Sequence, residues 1–244
     1  MLIYNQKVGG YMDKILAKAF TLAEVLMVVG ILGVVALFTI PNLKNDTVSE
    51  TNVATLKATY NQLETALNLL LADYGSLQAV KDSCNSGTAV ACLNSKIVEK
   101  LDLQLNCASS NLSRCYSSET LKNIDGGDVA SGASNARCSY AFTLSNGASV
   151  CYVTAGDNYE IDINGSKKGP NVLGIDVFDT YFDANDDLSY DNPSTATAAN
   201  TARAGGGAFT TGRDETAWAM TFGNIDYTKC KASLQWNRVT SCAN

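Results

Sequence analysis

An α+β fold is predicted: a long N-terminal α-helix, apolar in its first half and amphipathic in its second, followed by a small antiparallel β-sheet with disulfide-pinned loops. Three observations carry it. Phe20 to Leu43 is an almost uninterrupted apolar run, Val53 to Tyr74 repeats apolar residues at spacings of three and four, and Asn146-Gly147 stands between two apolar stretches downstream. These are the signals of a buried or membrane helix, an amphipathic helix and a β-hairpin.

The first element is the apolar run. From Phe20 to Ile40 there are 21 residues, and at ~1.5 Å rise per residue such a helix spans about 31 Å, close to the hydrocarbon thickness of a bilayer. The run holds one carboxylate, Glu24. Facing lipid, an ionised side chain costs roughly 2 to 3 kcal/mol or more unless it is paired or reaches the interface. Two readings follow for Glu24: it snorkels at the membrane surface, or it neutralises a positive charge supplied by another chain.

The junction ahead of this run carries a resemblance. Lys14 and Lys18, then Ala19-Phe20-Thr21-Leu22-Ala23-Glu24, resemble the prepilin processing site of type IV pilins and of the pseudopilins of type II secretion. In that family a basic leader is cut before an aromatic residue, the new N-terminus is methylated, and a glutamate stands fifth in the mature chain. Cleavage between Ala19 and Phe20 makes Glu24 that fifth residue, and Pro41 the twenty-second, where the family commonly has a proline. Ala19 departs from the glycine usual before the cut, and a start at Met12 rather than Met1 gives the more usual leader length.

The resemblance implies an organisation: residues 1–19 as leader, 20–43 as transmembrane and assembly helix, 44–75 as an amphipathic continuation, and 76–244 as an outward-facing domain. It also implies a pilin-like architecture, with the long helix laid across an antiparallel sheet. The implied role is a structural subunit of a type IV pilus or a type II secretion pseudopilus, and not an enzyme. Implied partners are copies of itself or related pilins in a helical filament, a prepilin peptidase and methyltransferase, an inner-membrane assembly platform and the lipid bilayer. The alternative is a singly anchored extracytoplasmic adhesin or binding domain that never polymerises.

Charge and cysteine usage fit an exported chain. Lys7, Lys14 and Lys18 against Asp13 place the N-terminus in the cytoplasm by the positive-inside tendency, so that the remainder faces outward; the resemblance implies a bacterial inner membrane, crossed once, and then the periplasm or an extracellular filament. A cleaved secretory signal is the rival, but the apolar stretch exceeds the usual length and no A-x-A site follows it. The net charge is −6, and loss of a leader with three Lys and one Asp takes it to −8, against nucleic-acid binding.

Eight cysteines, Cys84, Cys92, Cys107, Cys115, Cys138, Cys151, Cys230 and Cys242, all follow the apolar run. An even count in an exported chain favours disulfides, while zinc is disfavoured by the lack of any His or C-x-x-C pair. Pairing each cysteine with the next is the shortest-loop arrangement, although the sequence alone leaves connectivity open.

Beyond Pro41, which removes one backbone donor and is expected to kink the helix rather than end it, Val53, Leu56, Tyr60, Leu63, Leu67, Leu70 and Tyr74 form one stripe. Packing on the chain's own sheet is favoured over a coiled-coil seam because the run is short. Gly75 supplies the stop. Residues 76–137 read as a disulfide-pinned connector with weak helical patches at Lys96–Leu103 and Glu119–Ile124. Strands are expected at Cys138–Ser145, Ala148–Thr154, Tyr159–Ile163, Val172–Phe178 and Thr216–Phe222, with a turn at Asp162–Gly165 and a surface loop over 194–212.

Little in the sequence points to catalysis, since a chain without His forms neither Ser-His-Asp nor Cys-His arrangements. Asp183, Asp186, Asp187 and Asp191 offer carboxylates for a glycosidase-like pair, without the aromatic platform a sugar needs. Asp183, Asn185, Asp187 and Asp191 also set oxygen side chains at alternate positions, as in a calcium loop. That pattern is incomplete, with Leu188 where an EF-hand has Gly and Ser194 where it has Glu. Calcium is thus the one cofactor that comes into question.

Overall fold

The computed structural model describes residues 21–84, 89–129, 134–154, 158–183, 185–190, 213–235 and 238–242. The chain divides into two compact units, Met1–Asn45 and Asp46–Asn244, and helix α1 (Leu22–Tyr74) runs through the division.

The helix begins at a reciprocal cap. Thr21 Oγ1 accepts from the Glu24 backbone N–H at 3.2 Å, while Glu24 Oε2 accepts from Thr21 N and Oγ1, both at 2.8 Å. This is a Thr-x-x-Glu capping box, in which each side chain satisfies a backbone donor that the first helical turn leaves open. As expected, α1 continues through Pro41. It stops where expected too: Gly75 takes φ +86° and donates its N–H to Leu71 O at 2.7 Å. Ser76 then caps α2 (Leu77–Asp82), accepting from Ala79 N at 3.1 Å. The helix α3 (Ala89–Val98) follows.

Six antiparallel strands form one sheet in chain order: β1 (Leu103–Ala108), β2 (Tyr140–Leu144), β3 (Ser149–Val153), β4 (Asn158–Asp162), β5 (Val177–Phe182) and β6 (Leu188–Ser189). The β2–β3 hairpin turns at Asn146-Gly147, where Gly147 has φ +89° and Asn146 Oδ1 accepts from Ala148 N at 3.0 Å. Asn146 Nδ2 donates to Thr59 Oγ1 of α1 at 2.9 Å, which ties the hairpin to the helix.

Strand alternation sorts the side chains into two layers. Tyr140, Phe142, Val150, Tyr152, Tyr159 and Ile161 join Val53, Leu56, Tyr60, Leu63, Leu67 and Leu70 in the main core. The amphipathic half of α1 therefore packs on the sheet, and only Tyr74 of the expected stripe is exposed, its ring beneath Lys96 Nζ at 4.6 Å. On the opposite face Ala141, Cys151 and Val153 lie with Cys107, Cys115, Tyr116 and Cys138 in a second core. Both faces of the central strands are covered, so every residue of β2, β3 and β4 is buried.

Four disulfides join each cysteine to the next in sequence: Cys84–Cys92, Cys107–Cys115, Cys138–Cys151 and Cys230–Cys242, with Cα separations of 5.4 to 6.0 Å. The shortest-loop pairing is the one present. Peptide mapping of non-reduced protein is expected to recover these four linked pairs; crossed links between Cys107 or Cys115 and Cys138 or Cys151, which share one core, would refute the arrangement.

Several elements differ from the sequence expectation. Thr216–Phe222 is not a strand but lies in helix α4 (Arg213–Phe222). Three apolar residues at alternate positions also fit a helix packed on more than one side, and Ala217, Trp218 and Ala219 are all buried. The helical patch at Lys96–Leu103 begins earlier and ends at Val98, and Leu103 opens β1. Glu119–Ile124 is no helix: Lys122 bridges to Asp128 and to Val172. The strand expected at Val172–Phe178 is displaced to Val177–Phe182, because Gly174 turns the chain with φ +79°. A Cβ there would stand 2.4 Å from Glu215 Cγ, so the close approach of α4 also requires glycine.

Candidate functional site

Two sets of residues singled out in the sequence are partly visible. In the N-terminal set, Ala19 and Phe20 lie outside the described residues, and Pro41 is within α1 with its side chain outside them. Glu24 is exposed and engaged with Thr21. Thr21 itself was not singled out, although the Thr-x-x-Glu spacing was its signal.

Apart from Glu24, the helix from Leu22 to Leu37 is apolar on all sides, and Leu22, Leu26, Met27, Val29, Leu32 and Leu37 are each at least 60% exposed. Among the described residues no helix is long and apolar enough to cross a membrane. The expected span, Phe20 to Leu43, extends beyond the described side chains at both ends, since those of 38–48 lie outside them.

In the second set, Asp183, Asn185, Asp186 and Asp187 lie in the turn between β5 and β6. Asp183 Oδ1 accepts from Asn185 N at 2.8 Å and Asp187 N at 3.1 Å, so this carboxylate closes its own turn. Asp186, with φ +64°, turns its Oδ2 to the Leu77 N–H at 3.0 Å, capping α2. Asn185 and Asp187 are exposed, and Asp191 lies outside the described residues. Among the described residues no group of three or more His, Cys, Asp or Glu side chains is placed to hold a metal ion.

A third group was missed. On the face of β4 opposite α1, Glu160 is buried with Arg137 Nη2 2.7 Å from its Oε1, and the Tyr116 hydroxyl donates to its Oε2 at 3.3 Å. Burial pushes the Glu160 carboxyl up to about 7, against the opposing pull of Arg137. Asp162, two residues on, is fully buried, and burial followed by the charge of Asp176 raises it to about 7. Asp176 is raised by burial and lowered in part by the N–H groups it accepts from. The alternation of Tyr159, Glu160, Ile161 and Asp162 is visible in the sequence, but it reads as a strand with one face in water.

Comparison of the chain with family models, with curated proteins and with solved structures gave no match.

Proposed function

We propose that this chain is a structural subunit of a type IV pilus or pseudopilus, processed before Phe20, held in the bacterial inner membrane by its N-terminal helix, and polymerised through that helix. One observation carries the reading: Leu22 to Leu37 is apolar all round and exposed, with a single carboxylate at its start. A helix without a polar face is stable only inside lipid or among other helices, and a filament core and a bilayer are both such places. The junction Ala19-Phe20 and the position of Glu24 support processing there. The partners in this reading are the peptidase and methyltransferase, the assembly platform, the bilayer and other subunits, with no nucleic acid.

The capping box sharpens the test. Glu24 has two jobs to separate, closing the first helical turn and neutralising the new α-amino group of Phe20 on an incoming subunit. Gln keeps the capping box but not the charge. Glu24→Ala and Glu24→Gln are both expected to leave expression and membrane insertion intact while filament recovery falls sharply, because an unpaired buried amine costs ~3 to 5 kcal/mol. The assay is sheared-filament yield against membrane-retained subunit. A defect in Glu24→Ala rescued by Glu24→Gln would assign the residue to capping alone. Wild-type yield from both would favour the anchored, non-polymerising reading.

A further inference from the structure

The connection between β4 and β5 contains two buried carboxylates with no described cation beside them. Asp162 and Asp176 are 0% and 1% exposed. Among the described residues neither forms an ion pair. The loop's own lysines are directed elsewhere or to water: Lys167 Nζ donates to Ser113 O, and Lys168 is exposed. Two carboxylates withdrawn from water and set near each other repel, and they demand a counter-charge or a proton.

The loop is built as an oxygen cradle. Asp162 Oδ1 accepts from the N–H groups of Asn164 and Gly165 at 3.2 and 3.1 Å, while its Oδ2 is buried without a hydrogen-bond partner. Asp176 Oδ2 accepts from Asn171 N at 2.9 Å, and Oδ1 from Val172 N at 2.7 Å. The side-chain oxygens of Asn164 and Asn171 are likewise buried and unpartnered. Asn171 is 2% exposed and takes φ +55°, a backbone conformation that asparagine tolerates better than most residues. Three oxygens within fifteen residues of chain thus lack any donor, where such buried atoms are ordinarily satisfied.

One contact bears on where a cation would sit. Asn164 Nδ2 donates to Asp176 Oδ2 at 3.0 Å and to the Gly169 carbonyl oxygen at 3.1 Å. An amide oxygen and nitrogen exchange places by a half-turn about the terminal bond. After that turn Asn164 Oδ1 would face the same two oxygens, an arrangement that repels unless a cation joins them. Separations of about 3 Å between oxygens are those of neighbouring ligands around an ion bound at ~2.4 Å.

We propose that this loop is a calcium site, with Asp162 and Asp176 as its carboxylates and the side-chain oxygens of Asn164 and Asn171 and the carbonyl of Gly169 as neutral ligands. The donor set is all oxygen, which selects a hard cation over zinc or copper. A mixture of carboxylate, amide and backbone carbonyl oxygens suits the irregular coordination of calcium better than the strict octahedron of magnesium. The ion would cross-link the end of β4 to the start of β5, in place of the Asp183–Asp191 loop considered from sequence. This inference is independent of the filament reading.

The test uses the full-length chain in detergent, stripped with EGTA and titrated with calcium chloride, followed by calorimetry and by thermal unfolding. The expected result is one calcium per chain, with an unfolding midpoint that rises with free calcium. Asp162→Asn and Asp176→Asn are each expected to weaken binding by at least the roughly 10- to 100-fold that loss of even an outer partner of a metal ligand costs. Asp187→Asn, in the β5–β6 turn, is expected to bind as wild type. Intact disulfides on non-reducing peptide maps identify variants that have folded, and Asp162→Asn is the safer of the two because only Oδ1 of Asp162 accepts hydrogen bonds, whereas both oxygens of Asp176 do. No calcium response of the wild-type midpoint at millimolar calcium would overturn the proposal. So would loss of the response in Asp187→Asn with its retention in Asp176→Asn.

Discussion

Arg137→Met is expected to destabilise the protein more at pH 8 than at pH 5, by up to about 1.4 kcal/mol, the work of one pKa unit between a folded value near 7 and pH 8. The guanidinium lies 2.7 Å from Glu160 Oε1, and the Glu160 side chain is 2% exposed. Removing the arginine leaves Glu160 without its counter-charge in a layer of disulfides and tyrosine, so the carboxyl is driven toward its protonated form. Methionine fills much of the aliphatic volume, so the loss reports charge more than packing.

The pH dependence has a definite sign. Burial raises folded Glu160 to about 7, above its unfolded value. The folded state therefore holds the proton more tightly, and this group's contribution is fully present below the unfolded pKa and is lost as pH rises through the folded one. At pH 5 Glu160 is protonated in both folded proteins and Arg137 has little charge to neutralise. At pH 8 wild-type Glu160 is largely ionised beside Arg137, whereas without the arginine its carboxyl is driven higher still and holds its proton more tightly. Urea unfolding at the two pH values and fixed calcium measures the difference. Glu160→Gln in the Arg137→Met background is expected to abolish the pH-dependent part of the difference. An equal loss at both pH values would show that arginine acts through packing alone.

Trp218→Ala is expected to cost ~3 to 5 kcal/mol, the usual range for truncating a buried aromatic side chain. Trp218 is 1% exposed, and its ring centroid lies 4.6 Å from that of Phe222 on the next turn of α4. Its Nε1 donates to Asn224 Oδ1 at 2.9 Å, and Asn224 Nδ2 donates to Thr240 O at 2.9 Å. The indole thus joins α4 to the C-terminal segment that Cys230–Cys242 closes. Truncation leaves a cavity and also removes one donor from Asn224. Trp218→Phe keeps most of the ring and is expected to cost clearly less. A loss under about 1 kcal/mol for alanine by chemical denaturation would mean that α4 lies outside the cooperative core.

What the sequence determined by itself was local. The three-and-four spacing from Val53 to Leu70, the stop at Gly75 and the hairpin at Asn146-Gly147 depend on residues within about four positions of each other. Each is present where the pattern placed it. The capping box at Thr21 and Glu24 was equally local, but it was hidden because a lone carboxylate in an apolar run draws attention to its charge. Tertiary structure decided what is covered. Trp218, Met220 and Phe222 carry the same short alternation in a strand or a helix, and the packing of α4 against the main core chose the helix. Glu160 and Asp162 alternate with Tyr159 and Ile161 as a solvated face would, yet they are buried, Glu160 beneath Tyr116 and Arg137. Asp183 keeps its carboxylate for its own turn, while Asp162 and Asp176, fourteen residues apart, are brought together by the β4–β5 pairing. Periodicity is written by near neighbours along the chain, whereas burial, and with it the demand for a counter-charge, is set by segments that meet only after folding.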